Sequence, residues 1–239
     1  MGVIVEKFKI NTKDNLKTLD EAFEEFQQYN KIKDLSEATI IHYEEIYKVF
    51  TKFYSGENLC KSLDIQVING YIIYLKENRR VNNISINTLL RGLRAFINYG
   101  IRLGYTEPFK IIMIKAIKKI KETYTDGELN ILLKKPDMKK CRFAEYRNWA
   151  FINYLLATGN RVGTILNIKI EDIDFENDTV ILKKTKNRNQ QIIPISNSLK
   201  RVLQEYLKYR KGNVEDYLFC NSRRRKITEG LYNIIDTPI

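Results

Sequence analysis

Apolar residues recur at helical spacing four times in the first hundred residues, and that pattern limits this half of the chain to a helical bundle. Phe23, Phe26 and Tyr29 form a stripe in a segment opened by Asp20, Glu21, Ala22 and Phe23. Ser36 is placed to cap a second helix through Tyr54, with Tyr43, Ile46, Phe50 and Phe53 on one face. Asp64 can cap a third, carrying Val67, Ile68, Tyr71, Ile72 and Leu75. Ser85 can cap a fourth, in which Ile86, Leu89, Leu90, Leu93, Ile97 and Ile101 are the apolar stripe. The gaps between them are short, as bundles require.

The pattern changes after Gly104. A segment from Tyr105 to Tyr124 opens with a turn-prone Thr-Glu-Pro and then carries five lysines against one glutamate from Phe109 onward. Ile111, Ile114 and Ile117 among those lysines also fit an amphipathic helix at a membrane, although a strap along a phosphate backbone suits the rest of the chain better. Thr125 and Glu128 then form a capping-box pattern, which marks a new start. Helices are expected from Glu128 to Leu133, from Glu145 to Ala157 and on to Ile168. Strands are expected at Ile170 to Phe175, Thr179 to Lys183 and Gln191 to Ile195, the first two joined through Glu176, Asn177 and Asp178. Ser198 is placed to cap a helix to about Arg210, and Thr228 to start a last helical piece. The chain thus divides into an arm at 1–17, a helical domain at 18–104, a basic linker at 105–124 and a second domain at 125–239.

Net charge narrows the partners. A formal +12 across 239 residues marks affinity for a polyanion, nucleic acid before anionic membrane, beside the plainer use of lysine for solubility. No apolar run approaches the ~20 residues that span a bilayer, and the start carries no signal-peptide pattern. Cys60, Cys141 and Cys220 are far apart, so they read as reduced thiols of a cytoplasmic protein. The only histidine, His42, has no ligand company, so neither a metal nor another cofactor is expected.

The fourth helix has a second stripe. Asn87, Arg91, Arg94, Asn98 and Arg102 step by three or four residues, without an acid among them. Arginine and asparagine there suit phosphates and base edges, and the plainer alternative is a solvated face.

Two further segments carry chemistry: ATGNRVGTIL from Ala157, and KKTKNRNQQIIPI from Lys183. Phosphoryl transfer needs positive charge around the nonbridging oxygens and a proton donor for the leaving oxygen. Arginine suits the first task because its planar fork donates two parallel hydrogen bonds and stays charged. On position alone Arg161 fits a surface arginine at a helix end equally well, and Lys183, Lys184 and Lys186 fit a solvated hairpin tip. Together, however, the run ATGNRVGTILNIKIEDIDFEN and the hairpin lysine ahead of IIPI resemble the catalytic domain of the tyrosine recombinases, the phage-integrase family. The helices containing SEATIIHYEEIYKVFTKF and SINTLLRGLRAFINYG are similar to the family's core-binding domain, so the resemblance spans nearly the whole chain.

The resemblance implies a mainly α fold with a small three-stranded sheet: a four-helix, SAM-like core-binding domain followed by a partial mixed α/β integrase catalytic domain. It implies a two-domain clamp on double-stranded DNA, cooperation with other recombinase protomers, and cutting and rejoining of DNA without metal or cofactor. Arg161 would clamp the scissile phosphate and Lys186 would protonate the departing 5′ hydroxyl, flanked by Lys184 and Arg188 as backbone contacts. Asn87, Arg91 and Arg94 would contact DNA from the first domain.

Thr164 stands where many members carry a glutamate. The family's HxxR box cannot be formed, because the one histidine is His42, and none of the fifteen tyrosines follows such a box. Tyr232 precedes its expected place and reads as a packing residue. The expectation is a truncated or fragmentary bacterial member, nucleoid-associated, that binds DNA without recombining it. A natural regulator of recombination and an unrelated basic helical RNA-binding or scaffold protein are the alternatives. A partial catalytic fold is also expected to leave apolar surface uncovered near Trp149 and Tyr154.

Overall fold

Thr18 begins the first helix by exchanging hydrogen bonds with Glu21: the Thr18 hydroxyl accepts from the Glu21 amide (3.2 Å) and the Glu21 carboxylate accepts from the Thr18 amide (3.0 Å). In the computed structural model, which describes residues 17–117, 120, 122–185 and 189–227, that helix is α1, Leu19–Ile32. Helix α2 spans Glu37–Thr51 behind Ser36, and α3 spans Ile65–Glu77 behind Asp64. Helix α4, Asn83–Arg102, starts earlier than expected, because Asn82 and not Ser85 is the cap. The Asn82 side chain accepts from the Ser85 amide at 2.9 Å, which makes Ser85 a donor in the first turn.

Residues 1–121 and 122–239 form two units. In the first, Phe23, Phe26, Tyr47 and Phe96 meet where α1, α2 and α4 converge. Phe23 stacks on Tyr47 at 3.9 Å between centroids, and Phe96 meets Phe23 edge-on at 5.4 Å. Helices α2 and α4 come close at Gly92, where a Cβ would displace the terminal methyl of Ile46.

The described residues of the basic segment after Gly104 form no helix before Asp126, and the first half of the segment belongs to the core of this unit. Tyr105 donates to the Glu25 carboxylate (2.8 Å), and the buried Thr106 hydroxyl donates to the Leu63 carbonyl (3.2 Å). Ile111 is buried. Asn87 then binds the strap in both directions, its amide donating to the Ile114 carbonyl (2.8 Å) while its oxygen accepts from the Ile114 amide (3.0 Å). At 5% exposure Asn87 does not share the solvent face with Arg91 and Arg94, which corrects the expectation that groups it with them. An unpaired backbone strand next to α4 needs a side-chain partner, and Asn87 is that partner.

The second unit opens with α5, Asp126–Leu133, behind the Thr125–Glu128 capping box. Helix α6, Phe143–Thr158, crosses α8, Asn197–Arg210. Ser196, not Ser198, caps α8, accepting from the Leu199 amide at 3.3 Å. Between them lies a short helix α7, Val162–Ile165, and an antiparallel sheet ordered β1 (Ile173–Asp174), β2 (Thr179–Leu182), β3 (Gln191–Pro194). The register pairs Ile173 with Val180 and Val180 with Ile193. Strand β1 is shorter than expected because residues 170–172 close a single 3₁₀ turn, in which the Asp172 carboxylate accepts from the Lys169 amide at 2.8 Å.

Val180 and Leu182 face inward, onto a core that includes Tyr146, Trp149, Phe151, Tyr154, Leu203, Tyr206 and Phe219. Trp149 and Tyr154 are themselves buried, at 6% and 0% exposure, while Leu156, two residues after Tyr154, and Ile131 near the end of α5 are exposed at 47% and 62%. The Trp149 indole donates to the Leu133 carbonyl (2.9 Å), so the end of α5 meets it. Two buried arginines tie down the segment that follows α8: Arg147 donates to the Cys220 carbonyl (3.2 Å) and Arg210 to the Tyr217 carbonyl (2.6 Å). Among the described residues no helix is long and apolar enough to cross a membrane.

Candidate active site

Helix α6 ends at Gly159, whose φ of 61° is left-handed and favours glycine. The Thr158 hydroxyl donates to the Tyr154 carbonyl (2.8 Å) and accepts from the Asn160 amide (3.4 Å), so the turn is bound to the helix before it. Arg161 follows with extended backbone (φ −64°, ψ 139°) and caps α7, its carbonyl accepting from Thr164 (2.9 Å) and Ile165 (3.1 Å). Buried apolar residues on both sides, Tyr154 before and Ile165 and Leu166 after, anchor the turn while Arg161 itself stays exposed. No carboxylate of a described residue pairs with its guanidinium.

A cleft of about 320 Å³ brings this turn to the hairpin. Gly159, Asn160, Arg161 and Thr164 line it from the turn and α7, and Leu182, Thr185 and Gln191 from the stem of β2 and β3. The two segments singled out in the sequence, twenty residues apart, therefore share one cavity wall. Thr185 closes the neck of the hairpin by donating to the Asn189 carbonyl (2.7 Å). Lys186 and Arg188 lie outside the described residues, as do Thr228 and Tyr232.

The neighbouring lysines divide in two. Lys183 is paired with the Asp172 carboxylate at 2.6 Å and with Glu171 at 3.2 Å. The hydrogen bonds that it donates to Asp172 and then Glu171 hold its ammonium above the ordinary lysine range, and the Lys183 bond draws Glu171 below the ordinary carboxylate range. Lys183 is thus a strut of the hairpin stem. Its signal in the sequence is the Glu171-Asp172 pair, three residues ahead of β1's end, which the spacing alone does not connect to a lysine twelve residues on. Lys184 is exposed and has no ion pair among the described residues.

In the first unit, Arg91, Arg94 and Asn98 are exposed on α4. Arg102 is occupied: it donates to the Tyr29 hydroxyl (3.1 Å) and lies over the Tyr29 and Tyr99 rings at 4.8 and 5.4 Å.

What the second unit offers is a guanidinium without an acid partner among the described residues, in a polar cleft whose donors suit an oxyanion. Its buried tyrosines are poor nucleophiles: burial pushes the Tyr154 and Tyr146 phenols far above their ordinary value. Among the described residues no group of three His, Cys, Asp or Glu side chains could hold a metal ion.

Residues 18–120 match the Phage integrase SAM-like domain and residues 123–235 match the Phage integrase family. The chain is similar to the TnP I resolvase of Bacillus thuringiensis, 26% identical over 222 residues, which cover 88% of this chain and 77% of that protein. It is similar to the tyrosine recombinase XerC of Staphylococcus aureus, 27% identical over 206 residues, 82% of this chain and 67% of XerC. Its fold is similar to that of the Tn1549 transposon integrase solved in complex with circular intermediate DNA, with a TM-score of 0.72 at 17% identity over 92% of this chain and 76% of the other. The two family matches fall on the two units in turn, the helical one SAM-like and the other carrying the integrase sheet and arginine turn, and the chain belongs to the phage integrase family, the tyrosine recombinases.

Proposed function

We propose that this chain binds double-stranded DNA for site-specific recombination, that both units grip one duplex as a clamp, and that Arg161 holds the scissile phosphate. One observation carries the reading: the cleft that unites the exposed Arg161, unpaired among the described residues, with the stem of the hairpin. A phosphodiester in that cleft receives the two parallel donors of the guanidinium, which stabilise the charge that builds on its oxygens during displacement. Lys186 follows Thr185 in the sequence and would supply the proton for a departing 5′ oxygen only where a nucleophile from another source made the attack. Lys184 and Arg188 flank it on the backbone, and Arg91 and Arg94 on α4 extend the contact surface. In the integrase that this fold resembles, circular intermediate DNA is bound, which supports DNA as the ligand class.

The step not supplied by these 239 residues is the attack. No HxxR pair can form around His42 alone, and burial raises the phenol pKa of Tyr146 and Tyr154 in the core of the second unit. The proposal is therefore binding and phosphate clamping without strand cleavage, with other recombinase protomers as partners at the site.

A mobility-shift titration with a labelled duplex, run beside a supercoiled-plasmid relaxation assay, tests this. The expected result is a salt-sensitive shift with the plasmid left supercoiled. Robust relaxation would overturn the non-cleaving part, and preference for structured RNA over duplex would overturn the DNA reading.

A further inference from the structure

A turn that plays no part in the cleft carries the densest positive charge among the described residues. Ser222, Arg223, Arg224, Arg225 and Lys226 are all exposed. The amides of all three arginines are hydrogen-bonded. The Asn221 side-chain oxygen accepts from the amides of Arg223 (2.9 Å) and Arg225 (3.0 Å), and the Asn221 carbonyl accepts from Arg224 (2.9 Å). The Asn221 amide donates to the Arg225 carbonyl (3.0 Å), and Cys220 bridges Lys226. Arg224 sits at φ 59°, a left-handed position that asparagine or glycine usually fills. A long cationic side chain at such a position is held there by its neighbours and not by its own preference.

None of the three arginines has an ion pair or ring contact with a described residue. Three like charges in succession repel one another, and the usual relief is an interleaved acid. Here the turn holds them together without an acid partner among the described residues, an arrangement that a polyanion completes.

The turn is also connected to the arginine site. Lys226 donates to the Asn167 side chain (2.6 Å) and lies 5.3 Å over the Tyr217 ring. Asn167 in turn donates to the carbonyl of Gly163 (2.6 Å), in the helix that Arg161 caps. Every link lies within the second unit, so Arg161 and the three arginines are parts of one framework.

We infer that the Asn221–Lys226 turn is a second phosphate-binding element, in which Arg223, Arg224 and Arg225 contact backbone phosphates of the same duplex whose scissile phosphate Arg161 holds. This rests on the DNA reading of the cleft and adds contacts beyond it. Its role is positional. The arginines carry no base specificity through phosphates, but they set where along the duplex the Arg161 cleft comes to rest.

The test is the salt dependence of duplex binding by the full chain, compared with the triple variant Arg223→Gln, Arg224→Gln, Arg225→Gln. Each phosphate contact contributes about 0.9 to the slope of log K against log salt, so the variant's slope is expected to be shallower by about 2.7. Between roughly 50 and 200 mM salt the unaltered chain then loses about 40-fold more affinity than the variant. A charge-matched control, Lys134→Gln, Lys139→Gln, Lys140→Gln, removes three exposed lysines of the same unit and is expected to leave the slope nearly intact. Equal flattening in both variants would mean bulk charge alone and overturn the inference, as would an unchanged slope in the arginine variant. If the triple variant does not fold, the three single Arg→Gln variants each carry the same expectation, about 0.9 apiece. If the unaltered chain shifts no duplex, the underlying DNA reading fails. If it does and only the arginine result is negative, this inference alone fails.

Discussion

Lys183, the residue that follows β2, places its ammonium 2.6 Å from the Asp172 carboxylate, which is only 2% exposed. The pair joins the root of the hairpin to the 3₁₀ turn ahead of β1, and Leu182 and Thr185 on either side of Lys183 line the Arg161 cleft. The hairpin stem that lines the Arg161 cleft is thereby tied to that 3₁₀ turn. Replacing Lys183 by methionine leaves Asp172 without its counter-ion, and amide exchange across residues 180–185 is expected to quicken, while α4 in the other unit is unaffected. Unchanged protection in β2 would show that the pair is incidental.

The same network sets a pH window. Glu171 is held below its ordinary 4.5, so its contribution exists above that value and fades as pH falls through the lowered one. Lys183 is held above its ordinary 10.5, so its contribution is complete below that value and fades as pH rises through the raised one. Hairpin protection measured by exchange, corrected for intrinsic rates, is expected to be flat from about pH 5 to 10 and to drop first on the acid side. Both groups are exposed, so salt will reduce the effect.

Asn87 separates two roles that its sequence position leaves mixed. Its two bonds to Ile114 make it the clasp of the strap. Asn87→Ala strands both backbone groups and is expected to cost the first unit about 1–3 kcal/mol in denaturant unfolding. Duplex affinity measured well below the melting midpoint should change little. A large affinity loss at unchanged stability would return Asn87 to the DNA surface.

Gly159→Ala meets no steric neighbour, so only the left-handed backbone opposes it. The cost expected is about 1–2 kcal/mol of stability. Because Arg161 is two residues on, the variant should also weaken phosphate binding in the cleft, seen as faster dissociation of a short duplex. A gain in melting temperature would contradict the left-handed assignment.

Arg161 and the α4 arginines differ in number of contacts. Arg161→Ala removes one phosphate contact, so the salt slope should fall by only about 0.9. Charge reversal at Arg91 with Arg94 removes two and adds repulsion, a slope change of about 1.8 or more with a larger loss of affinity. Binding indifferent to the double reversal would mean that this face of α4 does not meet DNA.

Local chemistry was legible in the residues themselves. Thr18 and Glu21, Ser36, Asp64, and Thr125 with Glu128 cap the helices, because a cap is decided within four residues of its own chain. The arginine turn was legible for the same reason, since a glycine at a helix end and an arginine beginning the next need only adjacent residues. Ser85 and Ser198 were misplaced as caps because a rival polar residue stood two or three positions ahead of each, and only the backbone path chooses between rivals.

The chain's order of residues determined by itself the four apolar stripes, the excess of positive charge and the pairing of an arginine turn with a lysine hairpin. Tertiary structure alone decided which cations remain free. Arg147 and Arg210 are buried on backbone carbonyls, Lys183 is spent on Asp172, and Arg102 lies on two tyrosine rings, whereas Arg161 and the arginines of 223–225 stay unpaired among the described residues. The physical reason is that a side chain's charge is local, but its partner is set by contacts between residues distant along the chain, and spacing carries no record of those.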